Sequence, residues 1–313
     1  MNKIDLNISQ IKTKDIDGSD IDLTSIKLNL KYPTNYFNLQ ISELCPYSLK
    51  AQLALAYKNL YYKDMEFSTN WIIPSNSQFL KRLERKTGSL TLPQLKIQYK
   101  QGIEETWLAD STTIMKFLDG IYPANSLFWE EENANGHYYR DILIMEDWID
   151  EAFKRPFLTL LFLNTNNLKK ATAKWLKDEK SLIIKARLEL LKIKKIAEIS
   201  SDFPSKQKSL TTAYKRFDDD LLPIVSDRIE ENYKKGQAFL FGNEICAADL
   251  GLYSFLKVLL QLEESNLISR RAVLLKYIDL IEDLNINDNL GSNSKKNLNR
   301  QKVTLIGKDE END

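Results

Sequence analysis

The residues best suited to chemistry are Cys45-Pro46-Tyr47-Ser48, which stand between an apolar strand and an amphipathic helix. Proline is favoured in the first turn of a helix, because its missing N–H group has no hydrogen bond to lose there. Cys45 is therefore predicted at the helix cap, where unpaired backbone N–H groups and the positive dipole end face the sulfur. That position lowers a thiol pKa from roughly 8.5 toward about 3.5–7.5 and predicts a reactive thiolate rather than a buried thiol. An inert cysteine in front of a helix remains the alternative.

Strand and helix signals alternate around this stretch. Tyr36–Ile41 alternate like a buried strand, and Tyr47–Lys58 repeat apolar residues at helical spacing. Pro93 interrupts the third strand, which indicates an edge, a bend or a cis turn. Asp110-Ser111 is predicted to cap the last helix of this half, which should stop at Gly120. The other predicted elements are a strand at Tyr61–Phe67, a helix at 75–86, a strand at Leu90–Ile97, a hairpin turn at 100–102 and a strand at Glu104–Leu108.

Beyond a linker at Tyr122–Ser126, helical periodicity replaces the strand signals. The first long helical stretch, His137–Phe162, contains Pro156, which predicts a kink. Further helices are predicted at 168–199, 209–233, 247–262 and 270–284. The apolar side chains of the first stretch are assigned to the core rather than to a substrate pocket: Trp148, Phe153, Phe157 and Leu161.

The predicted organisation has four parts: a polar N-terminal arm at 1–33, a mixed α and β domain at 34–122, an all-α domain at 129–285 and a disordered tail at 286–313. The 44 basic and 44 acidic residues give no net field that would favour nucleic acid, and no apolar run predicts a membrane span. Two cysteines and a polar N-terminus favour a reducing compartment, and we expect a cytoplasmic protein.

The single histidine of the chain, His137, limits the available chemistry. A His-ligated zinc site, a Cys–His dyad and a Ser–His–Asp triad would each have to use this one side chain. We assign His137 to an ordinary place near a helix start and expect no metal. Cys45 must then be activated by a helix end and nearby donors, without a histidine base.

Four features occur together in this order of elements: Cys45-Pro46-Tyr47-Ser48, Leu92-Pro93, Asp110-Ser111, and the stretch Phe239–Leu250 with a capping box from Cys246 to Asp249. Over residues 35–285 this set resembles the glutathione transferase family, and the cysteine before the first helix is similar to its cysteine-type, omega-like members. The resemblance implies the fold class α+β/α, a thioredoxin-like N-terminal domain followed by an all-α helical bundle domain. The family usually has Ser or Thr in the place of Cys246 and Glu in the place of Asp110.

The resemblance also implies that glutathione is the co-substrate and that no metal is used. Leu92, just before the proline, would pair its backbone with that of glutathione beside Pro93. Asp110 and Ser111 would bind the ammonium and carboxylate of the γ-glutamyl end. The glycyl carboxylate requires a cation, and four candidates remain open: Lys81, Arg82, Arg85 and Lys86.

The implied activity is that of a glutathione-dependent thiol transferase or reductase, acting through a mixed disulfide on the catalytic residue Cys45. Pro46 and Tyr47 belong to the implied glutathione-binding set, and Ser48 stands where a resolving cysteine would, which predicts a monothiol route. Two alternatives stay open: a glutathione-conjugating transferase toward small electrophiles, and a non-catalytic binding or assembly protein with the same fold. The expected partners are glutathione, a small electrophile or disulfide, and a second copy in a homodimer. Cys246 is assigned to packing or capping.

Overall fold

The computed structural model describes residues 37–41, 44–58, 62–66, 92–99, 104–129, 138–175, 193, 196–199 and 205–284. Its first part is a four-stranded sheet with the strand order β2-β1-β3-β4, and two helices accompany it within the described residues. The elements are β1 (Phe37–Ile41), α1 (Pro46–Tyr57), β2 (Tyr62–Glu66), β3 (Gln94–Tyr99), β4 (Glu104–Ala109) and α2 (Ser111–Ile121). The predicted helix at 75–86, the turn at 100–102, His137, the arm and the tail lie outside the described residues.

The register of the sheet determines which loops meet. β1 and β2 are parallel, whereas β3 is antiparallel to both β1 and β4. Gln94, the first residue of β3, pairs with Gln40 near the end of β1 and with Ala109 at the end of β4. The segments that follow β1, precede β3 and follow β4 therefore lie at the same end of the sheet.

Helix α2 ends one residue later than the sequence predicts. It runs through Gly120 and stops at Ile121, so the predicted stop at Gly120 is wrong. Tyr122 is the C-cap and precedes Pro123, and a residue before proline is disfavoured in helical conformation. The proline, rather than the glycine, therefore explains the end of the helix.

The segment after α2 is held by residues at the ends of α1 and α2. The ammonium group of Lys58 lies 2.7 Å from Asp119 Oδ1 and 2.7 Å from the carbonyl oxygen of Tyr122. The same carboxylate accepts the backbone N–H groups of Leu127 and Phe128, at 2.8–3.0 Å. This network fixes the path of the chain from the first domain into the second.

The described part of the second domain is helical, as predicted. Its helices are α3 (Tyr138–Leu163), α4 (Thr165–Trp175), α5 (Lys206–Lys215), α6 (Leu222–Lys234), α7 (Ala247–Leu259), α8 (Asn266–Ser269) and α9 (Ala272–Asp283). Pro156 lies inside α3 without ending it. No helix in these described segments is both long and apolar enough to cross a membrane.

The helix predicted over 209–233 contains a π-helical turn at Arg216–Leu221, between α5 and α6. Pro223 follows this turn and has no N–H group for an α-helical hydrogen bond, which explains the local change in winding. Asp218 of the π-helical turn pairs with Arg271 Nη2 at 2.6 Å, and this ion pair holds the turn beside the start of α9.

Aromatic side chains fill the centre of the second domain. Phe153 packs against Phe217 and Phe255, with ring centroids 5.5 and 5.4 Å apart, and Phe157 packs against Phe255 at 5.8 Å. Phe153, Phe157 and Leu161 are buried, and the half-buried Trp148 packs edge-on against Phe153. The assignment of this stripe to the core is therefore confirmed.

Candidate functional site

Cys45 lies where the sequence predicts it, at the N-cap of α1, with Pro46 opening the helix. Its backbone is extended, with φ −105° and ψ 111°, and its carbonyl oxygen accepts the N–H of Leu49 at 3.1 Å. The Cys45 side chain makes no cap hydrogen bond to the first turn, but the Ser48 hydroxyl and the backbone N–H groups of Ser48 and Tyr47 lie close enough to the sulfur to lower the pKa of its thiol. Three donors at the start of one helix therefore converge on this sulfur.

The expected lowering of the Cys45 pKa is wrong. Burial raises the pKa of this half-buried thiol above its ordinary value, because a thiolate loses hydration when it is enclosed. The donors from Ser48 and Tyr47 act in the opposite direction without reversing the change, and the nearby Asp150 carboxylate raises the pKa further. The helix start supplies the predicted donors, but the enclosure of the sulfur outweighs their effect on its pKa.

The proline predicted to bend the chain follows a cis peptide bond, Leu92–Pro93, immediately before β3. Both residues are buried. The strand pairing described above brings this bend to the end of the sheet where Cys45 follows β1. Chain segments 47 residues apart in sequence therefore reach the same site through sheet register alone.

Asp110 and Ser111 follow β4 and reach the same end of the sheet. Asp110 is the N-cap of α2, and its Oδ1 accepts the N–H of Thr113 at 2.9 Å. Its φ of 73° is uncommon for a residue other than glycine, and such strain concentrates at functional sites. The buried Ser111 hydroxyl has no hydrogen-bond partner among the described residues, although buried hydroxyls are normally paired. The pair offers an exposed carboxylate beside a hydroxyl that lacks a partner.

Tyr47 connects the site to the second domain. Its hydroxyl donates to the backbone oxygen of Asp150 at 3.0 Å, and its ring packs edge-on against Phe255 at 5.6 Å. Burial, together with Asp150, raises the pKa of the Tyr47 phenol. The Tyr47 side chain therefore contacts Asp150 and Phe255 of the second domain. Its backbone N–H is the group that faces the Cys45 sulfur.

A buried ionic cluster behind the site was missed by the sequence analysis. Lys50 of α1 pairs with Glu146 and, at 2.5 Å, with Asp150 Oδ2, both on α3. Thr112 Oγ1 donates to Glu146 Oε1 at 2.6 Å, so the start of α2 also touches the cluster. The signal that could have found it is a lysine on the buried face of α1, since a buried cation requires a carboxylate partner.

The basic candidates for the glycyl carboxylate and the second cysteine are the other residues that the sequence singled out. Lys81, Arg82, Arg85 and Lys86 lie outside the described residues. Cys246 is fully buried at the N-cap of α7, where Asp249 Oδ2 accepts its backbone N–H at 2.8 Å, and burial raises its thiol pKa strongly. Within the described ranges, no cluster of three or more His, Cys, Asp or Glu residues could hold a metal ion.

Two family profiles match the chain, one in each half. The profile of the glutathione S-transferase N-terminal domain matches residues 44–121, and that of the C-terminal domain matches residues 194–286. The chain belongs to the glutathione S-transferase family. In this family member, the first match covers Cys45, the cis proline and Asp110-Ser111, and the second covers the capping box of α7.

Solved structures show the same glutathione transferase fold at low sequence identity. A glutathione S-transferase from Rhodospirillum rubrum is 17% identical, with a TM-score of 0.53, covering 79% of this chain and 87% of that chain. The β-etherase LigF of a Sphingobium strain is 16% identical, with a TM-score of 0.55, covering 81% and 99%. A glutathione S-transferase of Ceriporiopsis subvermispora, in complex with glutathione, is 14% identical, with a TM-score of 0.56, covering 80% and 97%. No curated protein sequence matches this chain.

Proposed function

We propose that this glutathione transferase family member is a glutathione-dependent thiol transferase or reductase, with Cys45 as the sulfur that carries glutathione. The observation that carries the proposal is the Cys45 sulfur at the start of α1, facing the Ser48 hydroxyl and two backbone N–H groups. These donors can hold a sulfur that gains negative charge during thiol–disulfide exchange. The cis bend at Pro93 and the cap at Asp110 lie at the same end of the sheet and support a peptide-like thiol as the co-substrate.

Glutathione is proposed to lie along this end of the sheet. The backbone of Leu92, next to the cis Pro93, would pair with the backbone of the tripeptide. Its γ-glutamyl ammonium would meet the exposed Asp110 carboxylate, and its carboxylate would take the hydroxyl hydrogen of Ser111, which has no partner among the described residues. Each end of the γ-glutamyl group then meets a group of complementary charge or hydrogen-bonding type.

The proposed reaction is a two-step exchange of sulfur partners. The Cys45 sulfur attacks the glutathione sulfur of a glutathionylated substrate, and the Cys45–glutathione disulfide forms as the substrate thiolate leaves. The leaving thiolate takes up the proton that Cys45 loses. A second glutathione then attacks the mixed disulfide, and oxidised glutathione is released while Cys45 regains its proton. The net reaction converts one mixed disulfide and one glutathione into one free thiol and one oxidised glutathione.

The raised pKa of Cys45 sets the expected pH dependence of this reaction. Since the thiolate is the nucleophile and burial raises the thiol pKa of Cys45 above its ordinary value, only a small part of the unliganded thiol is ionised at pH 7. Turnover should therefore increase through pH 7 to 9 instead of reaching a plateau below neutrality.

The raised thiol pKa of Cys45 also favours a second candidate, a glutathione-binding protein without thiol chemistry. Burial that keeps a sulfur protonated is what a binding site with an unreactive cysteine would show. The glutathione-conjugating alternative depends on an acceptor site for the electrophile, for which the described contacts offer no specific support.

Turnover with a glutathionylated peptide separates the two candidates. Cys45→Ala should abolish reduction, whereas Cys246→Ser, which changes the buried cysteine of the second domain, should retain it. Full reductase turnover in Cys45→Ala would exclude the proposed mechanism. A wild-type protein that is retained on immobilised glutathione but reduces no disulfide would support the binding protein instead.

A further inference from the structure

The cluster of Lys50, Glu146 and Asp150 joins the two domains directly behind the candidate site. Lys50 is 1% exposed, Glu146 is 1% exposed and Asp150 is 8% exposed, so the cluster holds one positive and two acidic groups almost without water. Lys50 Nζ contacts Glu146 Oε1 and lies 2.5 Å from Asp150 Oδ2. One cation cannot fully compensate two buried carboxylates, so the cluster favours binding a proton.

Asp150 is the member of the cluster best placed to bind that proton. Its Oδ2 meets Lys50, but its Oδ1 is buried and has no hydrogen-bond partner within the described segments. Glu146, in contrast, receives hydrogen bonds from both Lys50 and Thr112. Burial raises the pKa of Asp150 to about 7; Lys50 opposes this change, and the neighbouring Glu146 adds to it.

Two residues of α1 link Asp150 to the reacting sulfur. Lys50 holds the Asp150 carboxylate, and Tyr47 donates its hydroxyl to the Asp150 backbone oxygen at 3.0 Å. Tyr47 also directs its backbone N–H at the Cys45 sulfur. The same short stretch of helix therefore contacts both the sulfur and the buried carboxylate of the second domain.

Among the described residues, the titratable groups that act on Asp150 or lie beside it come from three elements. Helix α1 contributes Cys45, Tyr47 and Lys50, the start of α2 contributes Asp110, and α3 itself contributes Glu146. Helix α7, which also packs on α1, presents Gly251 to the stem of Lys50 and Phe255 to Tyr47, and neither residue titrates. The charged residues of α7 are engaged elsewhere, since Asp249 accepts from Tyr277 at 2.6 Å and Lys257 pairs with Glu282.

We propose that Asp150 is a positioning residue of the second domain that controls the reactivity of the Cys45 thiol through its own charge. When the Asp150 carboxylate is ionised, it opposes formation of the nearby thiolate; when it is neutral, this opposition is removed. The inference rests on the proposed function only in taking Cys45 as the reacting thiol. Alkylation by iodoacetamide measures that thiol directly, so a failure of the glutathione chemistry would leave the test intact.

The test is the pH profile of Cys45 alkylation from pH 5.5 to 9.5, followed by peptide-resolved mass spectrometry on the full chain. Asp150→Asn should shift the profile to lower pH and raise the alkylation rate at pH 8 by about three- to tenfold, because a pKa change of one corresponds to a tenfold change in thiolate. Glu146→Gln is the matched control, since it also removes one carboxylate partner of Lys50, and it should follow the wild-type profile at pH 8. Folding of each variant is checked by circular dichroism.

Two results would overturn the proposal. One is an unchanged or slower alkylation of Asp150→Asn at pH 8; the other is an equal acceleration in Glu146→Gln, which would indicate loosened packing instead of charge. If Asp150→Asn does not fold, the pH profile of alkylation in the wild-type protein still tests the proposal. Ionisation of Asp150 near pH 7 must make the rise in rate shallower than the titration of a single thiol, and a profile that fits one simple titration contradicts the inference.

Discussion

Replacing Lys50 by methionine tests how much the interdomain cluster contributes to stability. Methionine keeps most of the unbranched apolar stem, which passes Gly251 in the contact between α1 and the second domain. It removes the cation that pairs with the buried carboxylates of Glu146 and Asp150. Loss of one partner from a buried ion pair costs about 3–5 kcal/mol, because the remaining charge is left uncompensated. We therefore expect the free energy of unfolding of Lys50→Met to fall by about this amount at pH 8.

The pH dependence of the loss gives a second check. Without Lys50, the pKa of the buried Asp150 carboxyl rises further, since Lys50 is a group that lowers it. A carboxyl whose folded-state pKa is raised binds its proton more tightly in the folded protein, so folding is favoured at low pH and weakened as pH rises. The destabilisation should therefore be smaller at pH 5 than at pH 8, by about 1 kcal/mol or more per proton bound.

Urea unfolding of both proteins at pH 5 and pH 8 measures these differences. The matched control is Lys154→Met on α3, whose partner Glu151 lies 3.0 Å away with both side chains largely exposed. An exposed pair of this kind contributes about 0–1 kcal/mol, so this variant should change little at either pH. A loss below about 1 kcal/mol in Lys50→Met, or a loss of the same size at both pH values, would refute the reasoning.

Three further predictions concern single positions. Gly251→Ala should stabilise the protein by about 0.5–1 kcal/mol, because glycine is a poor helix former and an added Cβ would lie at an ordinary 3.7 Å from the Lys50 stem. Gly251→Leu should destabilise the protein, and thermal unfolding compares the two variants. Asp110→Ala should lose about 1 kcal/mol of stability, because it removes the cap on the Thr113 N–H. Asp110→Asn should keep the cap but lose retention on immobilised glutathione, and retention equal to that of the wild type would contradict a role for the charge. Cys246→Ser should raise the melting temperature slightly, since serine is among the strongest caps for a helix N-terminus, and a lower melting temperature would show that packing of the thiol outweighs capping.

Much of the site follows from local sequence. Pro46 sets the start of α1 and so places Cys45 at its N-cap. Asp110 caps α2 because its carboxylate can accept the backbone N–H of Thr113, three residues later. A proline at the mouth of a strand cannot supply a ladder hydrogen bond, so the sequence predicts an edge, a bend or a cis turn at Pro93, and the structure has the cis form. These features depend on a few neighbouring residues, and the residue types alone specify them.

The features that were missed depend on tertiary contacts. Lys50 meets Glu146 and Asp150 across about one hundred residues of sequence, and no local pattern encodes that pairing. The pKa of Cys45 was predicted in the wrong direction because the donors of the helix start are visible in the sequence, whereas the burial that outweighs them arises only in the folded protein. Both errors have the same cause, since the site lies against a helical domain whose arrangement the sequence alone did not reveal.

The most direct test of the central claim is mass spectrometry of the whole protein after incubation with oxidised glutathione. The account predicts a single glutathione adduct on Cys45, removed by reducing agent and forming faster at pH 8.5 than at pH 7, because burial raises the pKa of this thiol. Cys246, which is fully buried, should remain unmodified in the folded protein. An adduct on Cys246 alone, or no adduct on Cys45 at either pH, would contradict the role assigned to this sulfur.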